Sequence, residues 1–460
     1  MKRNSKSKIQ CSGLKPAAFL WDESFLWGLM AYKALNSNRL PFELIRSDDI
    51  KKGQLKNYKM LFVPGGWASN KLKTLGECGT NEIKKFVNNG GNYLGFCGGA
   101  GLATLDSMGL LNIKRKPTKE RVPSFSGRIH LNIKGHSVFT HSPIYPFPPI
   151  FNAWWPSQFS VEDKNIKKLA VYGDALPDSF SSDLNVGDVE ANGEWAELEK
   201  VYNINLDPKR LLNEPAVVEG TYGKGKAILS LIHFDTPDDA NGAVVLRRLW
   251  EYLAGKESAA SNQWSAKSSK LLIHSNIMSN NCCNLVIPAC PESFFSPRRT
   301  RLSAGEKDSR QAGVTEESLT SDIEAAVNDL IALGIRNFLW FWRNPMLLQW
   351  RRGVRGLEYC TLYVMIRELS AVSHQLSAGD KEKLHKIKKL LMPFTEKAKQ
   401  LLILERHAMQ NGHITYERCD DPEIQKIRTE LFGNSKSHGG LFKELVNDVD
   451  DVLYSLIKQR

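Results

Sequence analysis

The first half of the chain alternates short apolar runs with helical patterns, and this alternation constrains the fold more than any other feature of its 460 residues. AAFLW (17–21), FELIR (42–46), KMLFVPGG (59–66) and NYLGF (92–96) each suit a buried strand and are too short for a helix. ESFLWGLMAYKAL (23–35) places a helix between the first two. Ile83, Phe86 and Val87 behind Asn81 predict another over 82–88, ended by Gly90 and Gly91. Strand and helix in succession are the order of a parallel sheet covered by helices. EPAVVEGTYGKGKAILSLIHF (214–234) reads as two β-runs joined around Gly223, Lys224 and Gly225. Leu246, Leu249, Trp250 and Leu253 then mark one face of a helix with Gly255 at its C-cap.

Beyond 255 the composition shifts. GKESAASNQWSAKSSK (255–270) and FFSPRRTRLSAGEKDSRQAG (294–313) read as linkers around a candidate small ordered patch, KLLIHSNIMSNNCCNLVIPAC (270–290). From 316 the pattern is helical. Leu384, Ile387, Leu390 and Leu391 stripe one helix that Pro393 must kink or end, and Leu445, Val449, Val452 and Leu456 stripe the last. NFLWFWRNPMLLQWRRG (337–353) mixes aromatic and basic residues and is read as a buried helix or a partner-binding face. The expected organisation is a basic tail over 1–14, an α/β domain over 15–255, a linker region over 256–315 and a helical domain over 316–460.

The excess of 62 Lys and Arg over 50 Asp and Glu gives a net charge of +12, which favours acidic partners. No zinc-finger spacing or RNA-recognition signature accompanies it, so nucleic acid is disfavoured as a partner. MKRNSKSKIQCSG lacks the apolar run of a secretory signal, and no window reaches the roughly 18 apolar residues of a membrane span. Eight irregularly spaced cysteines make no disulfide framework, and the expected compartment is the cytoplasm. Cys282, Cys283, Cys290 and His274 do not match the spacing of a zinc site and are read as local packing. YGKGK lacks the phosphate-loop spacing. Neither metal nor cofactor is expected.

The chemistry concentrates at GFCGG. A strand followed by Gly95, Phe96, Cys97, Gly98 and Gly99 has the layout of a nucleophile elbow, a turn so tight that small residues must flank the projected side chain. A helix starting there aims unpaired N–H groups at the sulfur, which favours thiolate. The bland reading of Cys97 is a buried thiol at a crowded turn. His233 and Asp235, two residues apart in LIHFD, can place an imidazole beside the thiol with a carboxylate behind it. Their bland reading is a strand-end histidine and a helix-capping aspartate. Pro64, Gly65 and Gly66 end a strand with bare backbone amides, which with that of Gly98 suit an oxyanion hole. Gly65 and Trp67 are further candidates for substrate contact. Asp22, after the first strand, either touches substrate at the carboxyl edge or caps the following helix.

FVPGGWASN, FVNNGGNYLGFCGGAGLA and YGKGKAILSLIHFD, taken in that order, resemble the class I glutamine amidotransferase superfamily. The likeness is strongest to the amidotransferase-like N-terminal domain of eukaryotic-type biotin-protein ligases, over residues 15–255. It implies a flavodoxin-like α/β fold, a mostly parallel sheet with flanking helices, to which the chain adds a C-terminal all-α domain. It also implies Cys97 as nucleophile, His233 as base, Asp235 where the family keeps a glutamate, and Gly66 and Gly98 as oxyanion donors. The chain departs from the pattern in three places. Asp235 is one methylene shorter than glutamate. Trp154 and Trp155 in FNAWWPSQF stand where small glycines are expected. RRGVRG (351–356) lacks the full glycine-arginine pattern that binds biotinyl-adenylate, so biotin ligation by this chain alone is not expected. The expected function is Cys-dependent hydrolysis of, or transfer from, a carboxamide carried by a small-molecule or amide substrate. The alternative is a non-catalytic small-molecule-binding or regulatory module whose helical region binds a protein partner.

Overall fold

The structure, a computed structural model, describes residues 14–139, 148–255, 316–376, 380–412, 420–434 and 437–458. The candidate linkers, the ordered patch and the group of Cys282, Cys283, Cys290 and His274 lie outside the described residues.

Four parallel strands form the half of the sheet that carries the site. They are β1 (Lys15–Leu20), β2 (Glu43–Ile45), β3 (Tyr58–Val63) and β4 (Asn92–Phe96), in spatial order β2-β1-β3-β4. Their carboxyl halves are continuously apolar because both faces are covered there, and Phe19, Leu20, Phe62, Val63, Leu94 and Phe96 are fully buried. Gly225–Ser230 lies parallel beside β4 and is also one arm of a hairpin with Pro215–Tyr222, turned at Gly223 with φ +58°. That hairpin converts the sheet to antiparallel pairing. Lys167–Ala175 and Phe125–Ile133 follow, and Ile150–Trp154 pairs with the latter, within an eleven-stranded mixed sheet.

The helices of the parallel half are α1 (Phe25–Ser37), α2 (Ser47–Lys51), α3 (Ala68–Asn88) and α4 (Gly98–Leu102), with Ala240–Ala254 closing the region. α3 starts well before the expected 82, and Asn81 sits inside it rather than at its cap. Its first turns carry no readable apolar stripe because one buried position is a lysine, Lys71, and Gly76 interrupts the helix at φ +60°.

The C-terminal region contains helices Glu316–Arg336, Gly356–Ala371, Asp380–Asn411, Pro422–Phe432 and Gly440–Lys458. Pro393 does not end its helix, which runs through it. Leu445, Val449, Val452 and Leu456 are buried on one face of the last helix. The segment read as a buried helix or a partner-binding face is not a helix but an antiparallel hairpin, Trp340–Asn344 with Leu347–Trp350. Aromatic residues lie on either side of Asn344 and Pro345 and favour cross-strand pairs such as Trp340 with Trp350, and proline opposes helix continuation.

The described residues form one compact unit, and one apolar core runs from Phe19 and Trp21 to Leu445 and Val449. Polar contacts reinforce the junction. The Trp21 indole donates to Asp450 at 2.8 Å, and Lys443 donates to both carboxylate oxygens of Glu23 at 2.6 Å. The last helix thus grips the loop that leaves β1 at its carboxyl end. No helix among the described residues is long and apolar enough to cross a membrane.

Candidate active site

Cys97 leaves the end of β4 at φ +46° and ψ −103°, a conformation that a side chain adopts at a cost of about 1–3 kcal/mol. The turn is held by surroundings that leave no room for side chains. A Cβ on Gly98 would lie 1.8 Å from the Gly66 carbonyl oxygen, one on Gly99 would lie 2.0 Å from that of Val63, and one on Gly95 would lie 2.6 Å from that of Gly99. The Cys97 N–H donates to Ser230 at 2.8 Å, tying the turn to the neighbouring strand. α4 behind it is only five residues long. The elbow is therefore a product of backbone crowding between β3 and β4, with Cys97 partly exposed above it.

His233 follows the adjacent strand Gly225–Ser230, in a loop rather than at the strand's last position. That loop is pinned from the antiparallel half of the sheet. The His233 N–H donates to Asn152 at 2.9 Å, and the Trp154 indole donates at 3.0 Å to Thr236, whose hydroxyl donates to the His233 carbonyl. Imidazole Nδ1 lies 2.9 Å from Asp235 Oδ1, and both side chains are fully buried. Asp235 is not a helix cap. Asp239 caps Ala240–Ala254 by accepting from Gly242, which leaves Asp235 to the histidine. Burial opposes a charged imidazole here, but the Asp235 carboxylate outweighs it and, with Cys97 adding in the same direction, the His233 pKa rises to about 10. Cys97 is therefore a neighbour of the ring. Nε2 nonetheless has no hydrogen-bond partner among the described residues, so the thiol and imidazole adjoin without a closed bond.

Gly65 and Gly66 shape the opposite wall. Gly65 is buried beneath a stack of Trp27 on His233, with ring centroids 4.8 Å apart and planes at 28°. A Cβ there would meet Trp27 at 3.0 Å and the imidazole at 3.1 Å. Gly66 has φ +113°, and its missing Cβ leaves space for the Glu23 carbonyl oxygen, 2.4 Å from where that atom would sit. The N–H groups of Gly66 and Gly98 have no acceptor among the described residues. Trp67 is partly exposed beside them, edge-on to His438 of the C-terminal region.

Asp22 caps a helix, but it is α2 rather than the following α1. Its Oδ2 accepts from the Ser47 N–H at 2.6 Å, and its other oxygen lies 3.6 Å from Arg46. The sequence reading missed Lys71. Its amine is buried, donates to the Asp22 carbonyl at 3.0 Å and to the Ser24 hydroxyl at 2.5 Å, and its stem backs Gly66. Burial pushes its pKa down to about 7 against the opposing pull of Glu23, Asp22, Asp450 and Cys97. Trp27 was also missed, since an indole in an apolar helix reads as ordinary core. A third omission is Trp350. It stacks on Trp155 at 4.8 Å, and Trp155 in turn meets Trp27 edge-on at 6.1 Å. One tryptophan from the C-terminal hairpin thus extends the aromatic wall that starts at His233. Among the described residues no cluster of His, Cys, Asp and Glu could hold a metal ion.

Residues 47–106, which include β3, the Gly66 turn and Cys97, match the family model described as biotin-protein ligase, N terminal. No curated protein matches the chain. A solved structure described as a glutamine amidotransferase is similar at 18% identity and a TM-score of 0.33, covering 52% of this chain and 99% of that one. A Thermoplasma acidophilum protein described as a candidate component of GMP synthase is similar at 12% identity and a TM-score of 0.33, covering 57% and 98%. A β-galactosidase from Rahnella sp. R3 is similar at 15% identity and a TM-score of 0.33, covering 52% of this chain and 31% of that enzyme.

Proposed function

We propose that this protein is an amidotransferase-like acyl-transfer enzyme in which Cys97 attacks a carboxamide carbon. The observation that carries this reading is the placement of a cysteine at a positive-φ elbow beside a buried imidazole that is itself held by a carboxylate. Cys97 Sγ, as thiolate, forms the new C–S bond, and the carbonyl oxygen takes up negative charge facing the free N–H groups of Gly66 and Gly98. The raised His233 pKa keeps a proton on the ring at neutral pH, ready for the departing nitrogen as the C–N bond breaks. Ammonia or an amine leaves, and a thioester remains on Cys97. Water or an acceptor amine then attacks the thioester, gives its proton to Nε2 and restores the thiolate. Asp235 holds Nδ1 throughout, so the shorter side chain still reaches its partner. Trp27 stacks on one face of the imidazole, and Trp155 and Trp350 extend that wall.

The test is the rate at which Cys97 is alkylated across pH 5–10 in wild type and in His233→Ala, with Cys97→Ser as the blank. The reading expects alkylation at pH 7 to slow by about tenfold without the imidazole. A wild-type profile that His233→Ala leaves unchanged would instead make Cys97 an ordinary thiol in a ligand-binding module. Mass spectrometry of the protein incubated with glutamine and with simple carboxamides then looks for an acyl adduct on Cys97.

A further inference from the structure

The opposite, amino edge of the parallel strands carries a cavity of about 880 Å³ whose lining contains none of the residues of the candidate active site. Its basic lining comes from four separate elements. Lys51 and Lys52 lie at the end of α2, Lys56 in the turn Gln54–Asn57, Lys59 on β3 and Lys85 near the end of α3. Glu82 is the one acidic residue among the described lining. It pairs with Lys85 at 3.4 Å, and Lys51 pairs with Asp48 at 3.0 Å. Lys52, Lys56 and Lys59 have no carboxylate within 4.0 Å among the described residues. The lining also includes the apolar side chains of Leu55, Phe86 and Leu253.

Cations that converge on one concavity repel one another, and a concave wall focuses their field on whatever enters. An anion offsets that repulsion, and its chemistry follows from the layout. These lysines spread over a volume within the roughly 300–1,000 Å³ range of small-molecule sites, far more than one small anion fills. Lysine ammonium groups bind phosphate as point charges and need no glycine loop. We propose that this cavity binds a ligand with a phosphate chain, with Lys52, Lys56 and Lys59 on the phosphate oxygens and the apolar side chains against the remainder. The proposal is independent of the chemistry at Cys97, which lies at the other end of β4.

Calorimetric titration of the full chain in 150 mM salt tests it, with ATP and inorganic tripolyphosphate as probes and sulfate at matched ionic strength as the control. Both probes are expected to bind with a Kd below about 100 μM, and the variant Lys52→Ala/Lys56→Ala/Lys59→Ala is expected to bind about tenfold more weakly. Its Cys97 alkylation rate should equal that of wild type, which shows that the fold is intact. If the triple variant does not fold, Lys59→Gln carries the same test with a weakening of about threefold. Tighter binding of ATP assigns a nucleotide, and equal binding assigns the phosphate chain alone. The proposal is overturned by any of three results: no heat up to 1 mM of either probe, sulfate binding as tightly as tripolyphosphate, or a folded variant that binds like wild type. Tighter binding of a single-stranded RNA than of either probe also overturns it, in favour of a nucleic-acid surface.

Discussion

The turn after β4 and the hairpin at 340–350 contribute to the same site by opposite means. At the turn, backbone packs on backbone. The places where Gly98 and Gly99 would carry a Cβ lie within about 2 Å of carbonyl oxygens on the neighbouring chain segment, so the residue type follows from the path of the chain. At the hairpin, side chain packs on side chain. Trp350 reaches the site only through its stack on Trp155, and many side chains could cover the same surface. The first arrangement tolerates no substitution and is visible in a short string of sequence. The second is tolerant and is created by a contact between segments nearly two hundred positions apart.

The contrast breaks most readily at Gly98. Gly98→Ala should cost at least about 4 kcal/mol or prevent folding, because no flexible group can yield to the new methyl. Gly76→Ala is the control. That glycine, unlike Gly98, has positive φ, but nothing lies within 4 Å of its missing Cβ, so only backbone strain of about 1–3 kcal/mol is expected. Urea unfolding of the two variants measures the difference, and equal losses would mean that crowding is not what shapes the elbow.

Asp235→Asn comes next, with a loss of about 3 kcal/mol near pH 6. The His233 pKa is raised in the folded state, from 6.5 to about 10. The stability it contributes is therefore fully present below 6.5 and is lost as pH rises through about 10. Unfolding measured from pH 6 to 10 should show the gap between wild type and variant closing, and a gap independent of pH would contradict the pairing.

The smallest effect belongs to the hairpin. Trp350→Ala should cost about 1–2 kcal/mol while raising the rate of Cys97 alkylation by a bulky maleimide about threefold. An unchanged rate would show that the aromatic wall does not control access to the thiol.

Much of the parallel half was legible because it rests on local rules. Short apolar runs mark strands buried on both faces, the glycines of GFCGG mark a turn that excludes Cβ atoms, and the histidine and aspartate of LIHFD are neighbours in the chain. α3 was misplaced at its start, since a buried lysine hides the periodicity that otherwise reveals a helix. The hairpin was read as a buried helix or a partner-binding face because aromatic and basic residues in a short apolar segment fit either period until Asn344 and Pro345 are given a turn.

The sequence by itself determined where a nucleophile elbow and its histidine-aspartate pair could form, because glycine conformation and close spacing act within a few residues. Only the tertiary structure decided that Asp239, and not Asp235, caps the closing helix. It also decided that Lys71 backs Gly66, and that Trp27, Trp155 and Trp350 line up beside His233. The same holds for the C-terminal helices, which join the core of the α/β region through contacts such as Trp21 with Asp450, separated by 429 positions. Such contacts depend on which surfaces meet after the chain has folded, and no local pattern specifies a partner at that distance.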